Sequence, residues 1–359
     1  MNAQLEPKAA GGLDGVVAAA TRLSMVDGER GELVIAGHRL EQLATLPFED
    51  VVTALWEAAG AKAVQAAAAP VPAATMALLR AAAKRRVDPM DALRMAAGTL
   101  TADGDPAAAN MLIGALPTIV AAYARLLRDE EPLAPPAGLG LAASFLFMLN
   151  GVDPHPALVR GLDTYLATVS DHGFNASTFA ARVIVSTGSD FVSAAAGAIG
   201  ALKGPLHGGA PGPALDMVFE IGDAARAEDV LRGKIERGER LMGFGHRIYK
   251  VRDPRADVLG AAAARMFTHV GDAGLYELAR AVEATALRLL EEYKPGRRLQ
   301  TNVEFYTALL LHGLGLDTAF FTPTFAIGRM AGWSAHCFEQ RAEGRLIRPQ
   351  SVYVGAMPS

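Results

Sequence analysis

The chain has 359 residues, 51% of them hydrophobic and 20% charged, with 34 basic against 38 acidic side chains and a net charge of −4. At roughly 150 residues per domain this allows two to three domains around a sizeable core, and the charge balance excludes a global field for holding a nucleic-acid backbone. A single cysteine, Cys337, excludes an internal disulfide or a thiolate-rich metal site and suits a reducing cytoplasm.

In chain order, the opening MNAQLEPKAAGGLDG has neither a basic leader with an apolar core nor an Arg-rich amphipathic stretch, so no secretory or organellar address is expected. Asp27 and Gly28 lead into ELVIA at 32–36, the one convincing short strand. The pattern then turns helical. Ala- and Leu-rich stretches with polar residues at helical spacing run over 48–61, 73–86, 90–100, 278–293 and 305–311. Prolines mark 67–74 and 129–138 as surface loops. The most apolar windows, 111–122 and 138–149, are broken by Pro117 or stop at Asn150 and Gly151. They fall short of the roughly 20 residues of a membrane span and read as buried core helices. There is no βαβ rhythm, G-x-x-x-x-G-K-[ST] loop, G-x-S-x-G elbow or H-E-x-x-H pair. The expected fold class is all-α.

Four segments interrupt the helical pattern with Gly, His, Asn and Arg. In GPLHGGA at 204–210, Pro211 and Pro213 suit the first turn of a following helix, which places His207 at a helix N-terminus. There the helix dipole disfavours imidazolium and leaves a neutral ring able to donate to a developing enolate oxygen, although a histidine capping a tight turn reads the same way. In the stretch 242–255, Gly243 and Gly245 permit close backbone approach to a ligand. His246, Arg247, Lys250, Arg252 and Arg255 form the densest basic cluster, fit for phosphates or carboxylates or simply a solvated loop balanced by Asp253 and Asp257. In TNVEFY at 301–306, Thr301 and Glu304 have capping-box spacing, which is the reading spacing favours; a carboxylate there can also serve as a general base. In SDHGFNAS at 170–177, His172 and Asn175 supply neutral donors, or Ser170 or Asn175 caps a helix. Arg329 lies in an apolar helical stretch, so a carboxylate partner is expected. Arg348 precedes Pro349 and says little alone. His38, His155, His269, His312 and His336 lack ligand spacing and read as structural or exposed.

Together and in this order, GPLHGG, GFGHR, DPRA and N-V-acid-F-Y resemble the citrate synthase family, which includes 2-methylcitrate synthases. The likeness runs from the DGERGEL turn and strand near residue 27 to Arg348 and Pro349, and the length resembles the short bacterial dimeric branch. The resemblance implies a two-domain helical protein, with a large domain of residues 1–207 and 310–359 and a small domain of 208–309 closing over a cleft. It implies that His207 stabilises the acetyl-CoA enol, that His246 polarises the oxaloacetate carbonyl, and that Glu304 stands where the family ordinarily has its catalytic aspartate. By the same resemblance His172, Asn175, Arg255 and Arg329 belong to the oxaloacetate site, and Arg348 is lent across a homodimer by the other subunit. Leu241, Met242, Gly243, Phe244 and Gly245 match the loop that recognises the adenine of coenzyme A. Two features depart from the family pattern: Glu304 itself, and Pro211-Gly212-Pro213 where Asn-Glu is usual.

The implied activity is condensation of acetyl-CoA with oxaloacetate and water to citrate and CoA. Coenzyme A thioester enters as substrate, with no metal or redox cofactor, no nucleic acid and no membrane. A thioester methyl is so weakly acidic that a carboxylate can deprotonate it only if a preorganised donor meets the enolate, and Glu304 with His207 supplies both halves. The alternatives are a 2-methylcitrate synthase using propionyl-CoA, and a catalytically degenerate paralog that binds oxaloacetate or CoA without turnover.

Overall fold

The computed structural model describes residues 11–13, 15–62, 66–208, 211–246, 248–356 and 358. Most of the opening segment expected to lack a leader lies outside these, as do Gly209, Ala210 and Arg247 of the two Gly-rich motifs. The described chain opens with a small antiparallel sheet of β1 (Ser24–Asp27), β2 (Glu32–Ile35) and β3 (His38–Arg39). In its register Ser24 faces Ile35 and Val34 faces Arg39. The sequence pattern finds only β2, because SMVD is too short to show an alternation and becomes a strand by pairing across the turn at Gly31 (φ 68°).

Helices follow. They are α1 (Leu40–Leu43), α2 (Phe48–Ala58), α3 (Ala73–Lys84), α4 (Pro89–Ala97), α5 (Asp105–Leu127), α6 (Leu141–Asn150), α7 (Pro156–Val169), α8 (Ala176–Ser186) and α9 (Phe191–Leu202). After the Gly-rich turn at 203–208 come α10 (Pro211–Ile221), α11 (Ala227–Glu236), α12 (Pro254–His269), α13 (Ala273–Tyr293), α14 (Val303–Gly313) and α15 (Phe321–Glu343). All five expected helices form, with ends set by caps that the hydrophobic period does not reveal. Asp272, for example, accepts the Leu275 N–H at 3.2 Å and starts α13 five residues before the expected boundary. The expected break at Pro117 does not occur: α5 continues through it. Its middle is buried against α3, α4, α6, α9 and α15, and this packing outweighs the about 3 kcal/mol that an interior proline removes. It is the one helix among the described residues long and apolar enough to cross a membrane, and 83% of its apolar window is buried within the protein, as in a core helix.

The element that positions the site is α15, which packs on α2, α5, α7, α8 and α9 and ends at Gly344 in the left-handed conformation (φ 68°). Arg329, Gly332, Trp333 and His336 follow one another at helical spacing and are buried on its inner face. The loop after α7 lies directly on that face, with the Gly332 N–H donating to the Ser170 carbonyl at 3.1 Å. This approach requires glycine. A Cβ at 332 would stand 2.3 Å from the Ser170 oxygen and 2.7 Å from Asp171 Oδ1.

Gly332→Ala therefore sets two effects against each other. Alanine favours a helix over glycine by about 1 kcal/mol, while overpacking against fixed backbone costs about 1–3 kcal/mol or more. With a contact this short the clash wins, and the urea midpoint should fall; an unchanged or raised midpoint would show that the loop does not rest on the helix.

Candidate active site

A cavity of about 780 Å³ is lined by His172, Asn175, His207, His246, Arg255, Glu304 and Arg329, drawn from five separate stretches of chain. Its rim is apolar: Leu13, Val16, Val17, the fully exposed Leu206 and Ile248 border it, and the N-terminal contribution was not legible in the sequence.

His246 sits in a turn where its Nδ1 accepts the N–H groups of Ile248 (3.0 Å) and Tyr249 (3.1 Å). The ring proton is thereby placed on Nε2, which lies 3.2 Å from Arg255 Nη2. Arginine has no acceptor, so two donors converge on one point, an arrangement that an oxygen of a ligand completes. Burial, then the charge of Arg255, pushes the His246 pKa down to about 4. Arg255 is buried and held bidentately by Asp253, Nε to Oδ1 at 3.0 Å and Nη2 to Oδ2 at 2.8 Å. Asp253 also caps α12 through the Arg255 N–H and takes the Val303 N–H at 3.2 Å, tying the start of α12 to the start of α14. His172 Nε2 meets the Tyr249 hydroxyl at 3.0 Å, and burial with the nearby Arg255 and Arg329 holds the ring well below the ordinary histidine range.

His207 does not lie at the N-terminus of α10 as expected. It occupies the turn after α9, its N–H bonded to the Gly204 carbonyl, four residues ahead of Pro211. Its ring instead meets the start of α8: Nε2 lies 2.8 Å from Ser177 Oγ and 3.4 Å from the Ser177 N–H. A backbone N–H can only donate, so Nε2 is the acceptor and the proton resides on Nδ1. The helix-terminus argument survives with a different helix, and burial reinforced by Arg329 pushes the His207 pKa down to about 4. The Ser177 oxygen accepts from Trp333 Nε1 at 3.1 Å, and its single proton points to His207 Nε2, with Asn175 Oδ1 also 2.8 Å from that oxygen. Asn175 lines the cavity, but its amide is occupied in capping α8 and bonding Gly173 and Thr178.

The capping box at Thr301 and Glu304 does not form. Asn302 is the cap of α14, accepting the Glu304 N–H at 3.0 Å, while the Thr301 hydroxyl donates to the buried Glu283 at 2.7 Å. Released from capping, the Glu304 carboxyl faces the cavity, where burial raises its pKa against the opposing pull of Arg255, with Asp253 adding to the rise. Arg329 lacks the protein carboxylate expected for it: among the described residues it makes no ion pair. Nε donates to the Val169 carbonyl at 2.7 Å and the guanidinium stacks 4.7 Å over Phe325. Burial pushes its pKa down to about 10, partly offset by Asp171.

Three other expectations fall outside the cavity wall. Arg252 of the basic cluster is committed to Asp257 and, at 2.9 Å, to Glu283. The turn from Leu241 through Met242, Gly243 and Phe244 to Gly245 abuts the start of α14 instead: Asn302 N–H donates to Gly243 O at 2.9 Å and Asn302 Nδ2 to Gly245 O at 2.8 Å. Gly243 is at φ 86°, and a Cβ there would press on Phe305 at 3.0 Å. Arg348 is exposed on the extended C-terminal tail, away from this chain's cavity. Reasoning from sequence missed Ser177, Tyr249, Asp253 and Asn302; only the Asp-Pro pair at 253–254 carried a usable local sign, that of a helix cap.

Comparison with known proteins was consistent across the chain. The family model described as citrate synthase, C-terminal domain, matches residues 12–350. Citrate synthase 2 of Bacillus subtilis is 38% identical over 363 residues, covering 96% of this chain and 95% of that protein. The 2-methylcitrate synthase of Mycobacterium tuberculosis is 39% identical over 375 residues, covering 96% and 90%. The solved ternary complex of citrate synthase from Thermoplasma acidophilum with carboxymethyl coenzyme A and oxaloacetate superposes with a TM-score of 0.82 at 28% identity, covering 96% of both chains.

Two of the three depressed histidines make a prediction about acid. His207 and His246 stay neutral to about pH 4 when folded, against 6.5 for an ordinary histidine. Between those values the unfolded chain binds more protons, so these rings make stability fall as pH drops through that window; Glu304, with its raised pKa, works in the opposite sense. Replacing both histidines by asparagine should flatten the fall in urea midpoint between pH 6.5 and 4. An unaltered slope would mean that the rings titrate normally.

Proposed function

The chain belongs to the citrate synthase family, and from that premise we propose how its cavity condenses acetyl-CoA with oxaloacetate and water to give citrate and CoA. The observation that carries the reading is the meeting of two guanidiniums, three histidines and one carboxyl around one cavity. Oxaloacetate carries two carboxylates, and Arg255, Arg329 and His172 are the groups to hold them, bidentate guanidinium pairing giving orientation as well as energy. Its 2-oxo oxygen fits the point where His246 Nε2 and Arg255 Nη2 converge.

Glu304 then takes a methyl proton from the thioester while His207 Nδ1 donates to the enolate oxygen. The new carbon–carbon bond forms at the 2-oxo carbon, and the resulting alkoxide is stabilised by His246. Water hydrolyses citryl-CoA and releases CoA. Removing one such preorganised donor costs about 10²–10³-fold in rate. The buried carboxyl of Glu304, its pKa raised, is a better base than a solvated one, since proton transfer is most efficient when the pKa approaches the working pH. Coenzyme A enters as the thioester substrate and leaves as the free thiol, and no further cofactor enters the scheme. Residues 208–309 act as the small domain whose closure on the rest excludes water until condensation is complete. The turn from Leu241 to Gly245 takes the adenine, and through Asn302 it is joined to the helix of the base. The single cysteine, Cys337, fully buried, suits a cytoplasmic setting.

Thiol release from acetyl-CoA and from propionyl-CoA with oxaloacetate tests the activity and names the donor. We expect acetyl-CoA to have the higher kcat/KM, because Glu304 already fills space beside the reacting carbon, with measurable propionyl-CoA turnover because a methylene changes binding by only about 1–3 kcal/mol. Glu304→Asp should lower kcat roughly tenfold by withdrawing the base, and Glu304→Gln should lower it further. A gain of activity in Glu304→Asp would overturn Glu304 as a fitted base.

The exposed Arg348 completes the neighbouring cavity of a two-fold homodimer in this scheme, its tail reaching across. Mixing inactive Arg348→Ala subunits with inactive His246→Ala subunits should restore part of the activity, since a mixed dimer keeps one intact site. Full activity of a monomer would defeat it.

A further inference from the structure

The loop that carries His172 is held from outside at the residues on both sides of it. The Ser170 carbonyl accepts from Gly332. Asp171 is fully buried, and its Oδ2 accepts the Ser24 hydroxyl at 2.5 Å and faces His336 Nε2 at 3.3 Å. The same Ser24 oxygen accepts the Gly173 N–H at 2.8 Å, so one hydroxyl from β1 joins both sides of His172. The ring of Phe174 stands edge-on to His336 at 5.6 Å and beneath the Arg182 guanidinium at 4.9 Å.

The direction of this relay is fixed by chemistry. Arg182 Nη1 lies 3.2 Å from His336 Nδ1 and can only donate, so Nδ1 accepts and the ring proton is on Nε2, pointing at Asp171. Arg182 has no freedom of its own: Glu339 at 2.5 Å, Gln340 at 3.0 Å and Glu343 at 3.3 Å, all on α15, hold it. His336 Nε2 lies between the two Asp171 oxygens, 3.2 Å from Oδ1 and 3.3 Å from Oδ2.

We propose that Ser24, Asp171 and His336 are positioning residues that fix the His172 loop for oxaloacetate, a role that rests on His172 being an oxaloacetate ligand. None of the three lines the cavity. They act through the loop, and the β1 strand, 147 residues away in sequence, thereby sets the affinity for oxaloacetate.

Ser24 gives the cleanest test, because the hydroxyl is half-buried and its removal leaves the charged relay intact, whereas Asp171→Asn risks unfolding. Ser24→Ala, Ser24→Thr and His172→Ala are to be compared with the parent protein by calorimetric titration of oxaloacetate, by KM for each substrate and by melting temperature. We expect Ser24→Ala to weaken oxaloacetate binding about tenfold, the range for losing a hydrogen bond to a charged group. The KM for acetyl-CoA should be nearly unchanged, the melting temperature should fall by a few degrees at most because one bond to a buried carboxylate is lost, and Ser24→Thr should restore binding. If His172→Ala weakens oxaloacetate and Ser24→Ala does not, the positioning role is wrong and the site assignment stands. If His172→Ala binds normally, the assignment beneath the proposal fails. An equal rise in both KM values with a lower melting temperature would also overturn it, since that is general loosening.

Discussion

Arg329 is buried to 1% exposure without an ion-pair partner among the described residues, and much of the site's arrangement answers to that charge. An isolated buried cation carries an effective penalty of several kcal/mol, too much for a marginally stable chain to carry without return. The protein relieves part of it with the Val169 carbonyl, the Phe325 ring and the more distant Asp171, and in the proposed scheme the rest falls to a substrate carboxylate. Arg255 differs. Asp253 neutralises it, so it contributes geometry more than unbalanced charge. A ligand with two carboxylates matches this pair, because one meets an unbalanced guanidinium while the other meets one already aimed.

The same field decides the protonation of the histidines. His172, His207 and His246 are all held below their ordinary pKa, by burial first and by Arg255 or Arg329 next. Neutral rings donate from one nitrogen only, so their backbone partners choose which: Ile248 and Tyr249 for His246, Ser177 for His207. Burial, reinforced by charge, therefore sets the protonation state, and turn geometry sets the tautomer. A change to either guanidinium would disturb acid–base behaviour well beyond its own contacts.

Patterning made the helical class and the short strand β2 legible, while the seven cavity-lining side chains were legible because the motifs that carry or flank them resemble, in their order, those of the citrate synthase family. It did not reveal what those interruptions touch. His207 was expected against α10, the helix next in sequence, yet its ring meets α8, thirty residues earlier, because α8 and α9 pack together. The Thr301 and Glu304 spacing pointed to a capping box, and the outcome turned on Glu283, which captures the Thr301 hydroxyl from α13. Pro117 read as a break because local propensity cannot weigh burial on all sides of α5. In each case a contact between elements distant in sequence overrode a local rule that was correct for an isolated segment.

Glu304 shows how a departure in the base can be accommodated. As the second residue of α14, its N–H is satisfied by Asn302, so the side chain owes nothing to the helix and its extra methylene can be spent on reach. The start of that helix is anchored by Asn302 to the Gly243 and Gly245 carbonyls and by the Val303 N–H to Asp253. Asp253 also grips Arg255, so the base and the guanidinium are referenced to one buried carboxylate. The carboxyl lines the same cavity as Arg255, whose charge opposes the rise in the Glu304 pKa. In the proposed scheme the position of the base is thus governed by the link through Asp253 as well as by the length of the side chain.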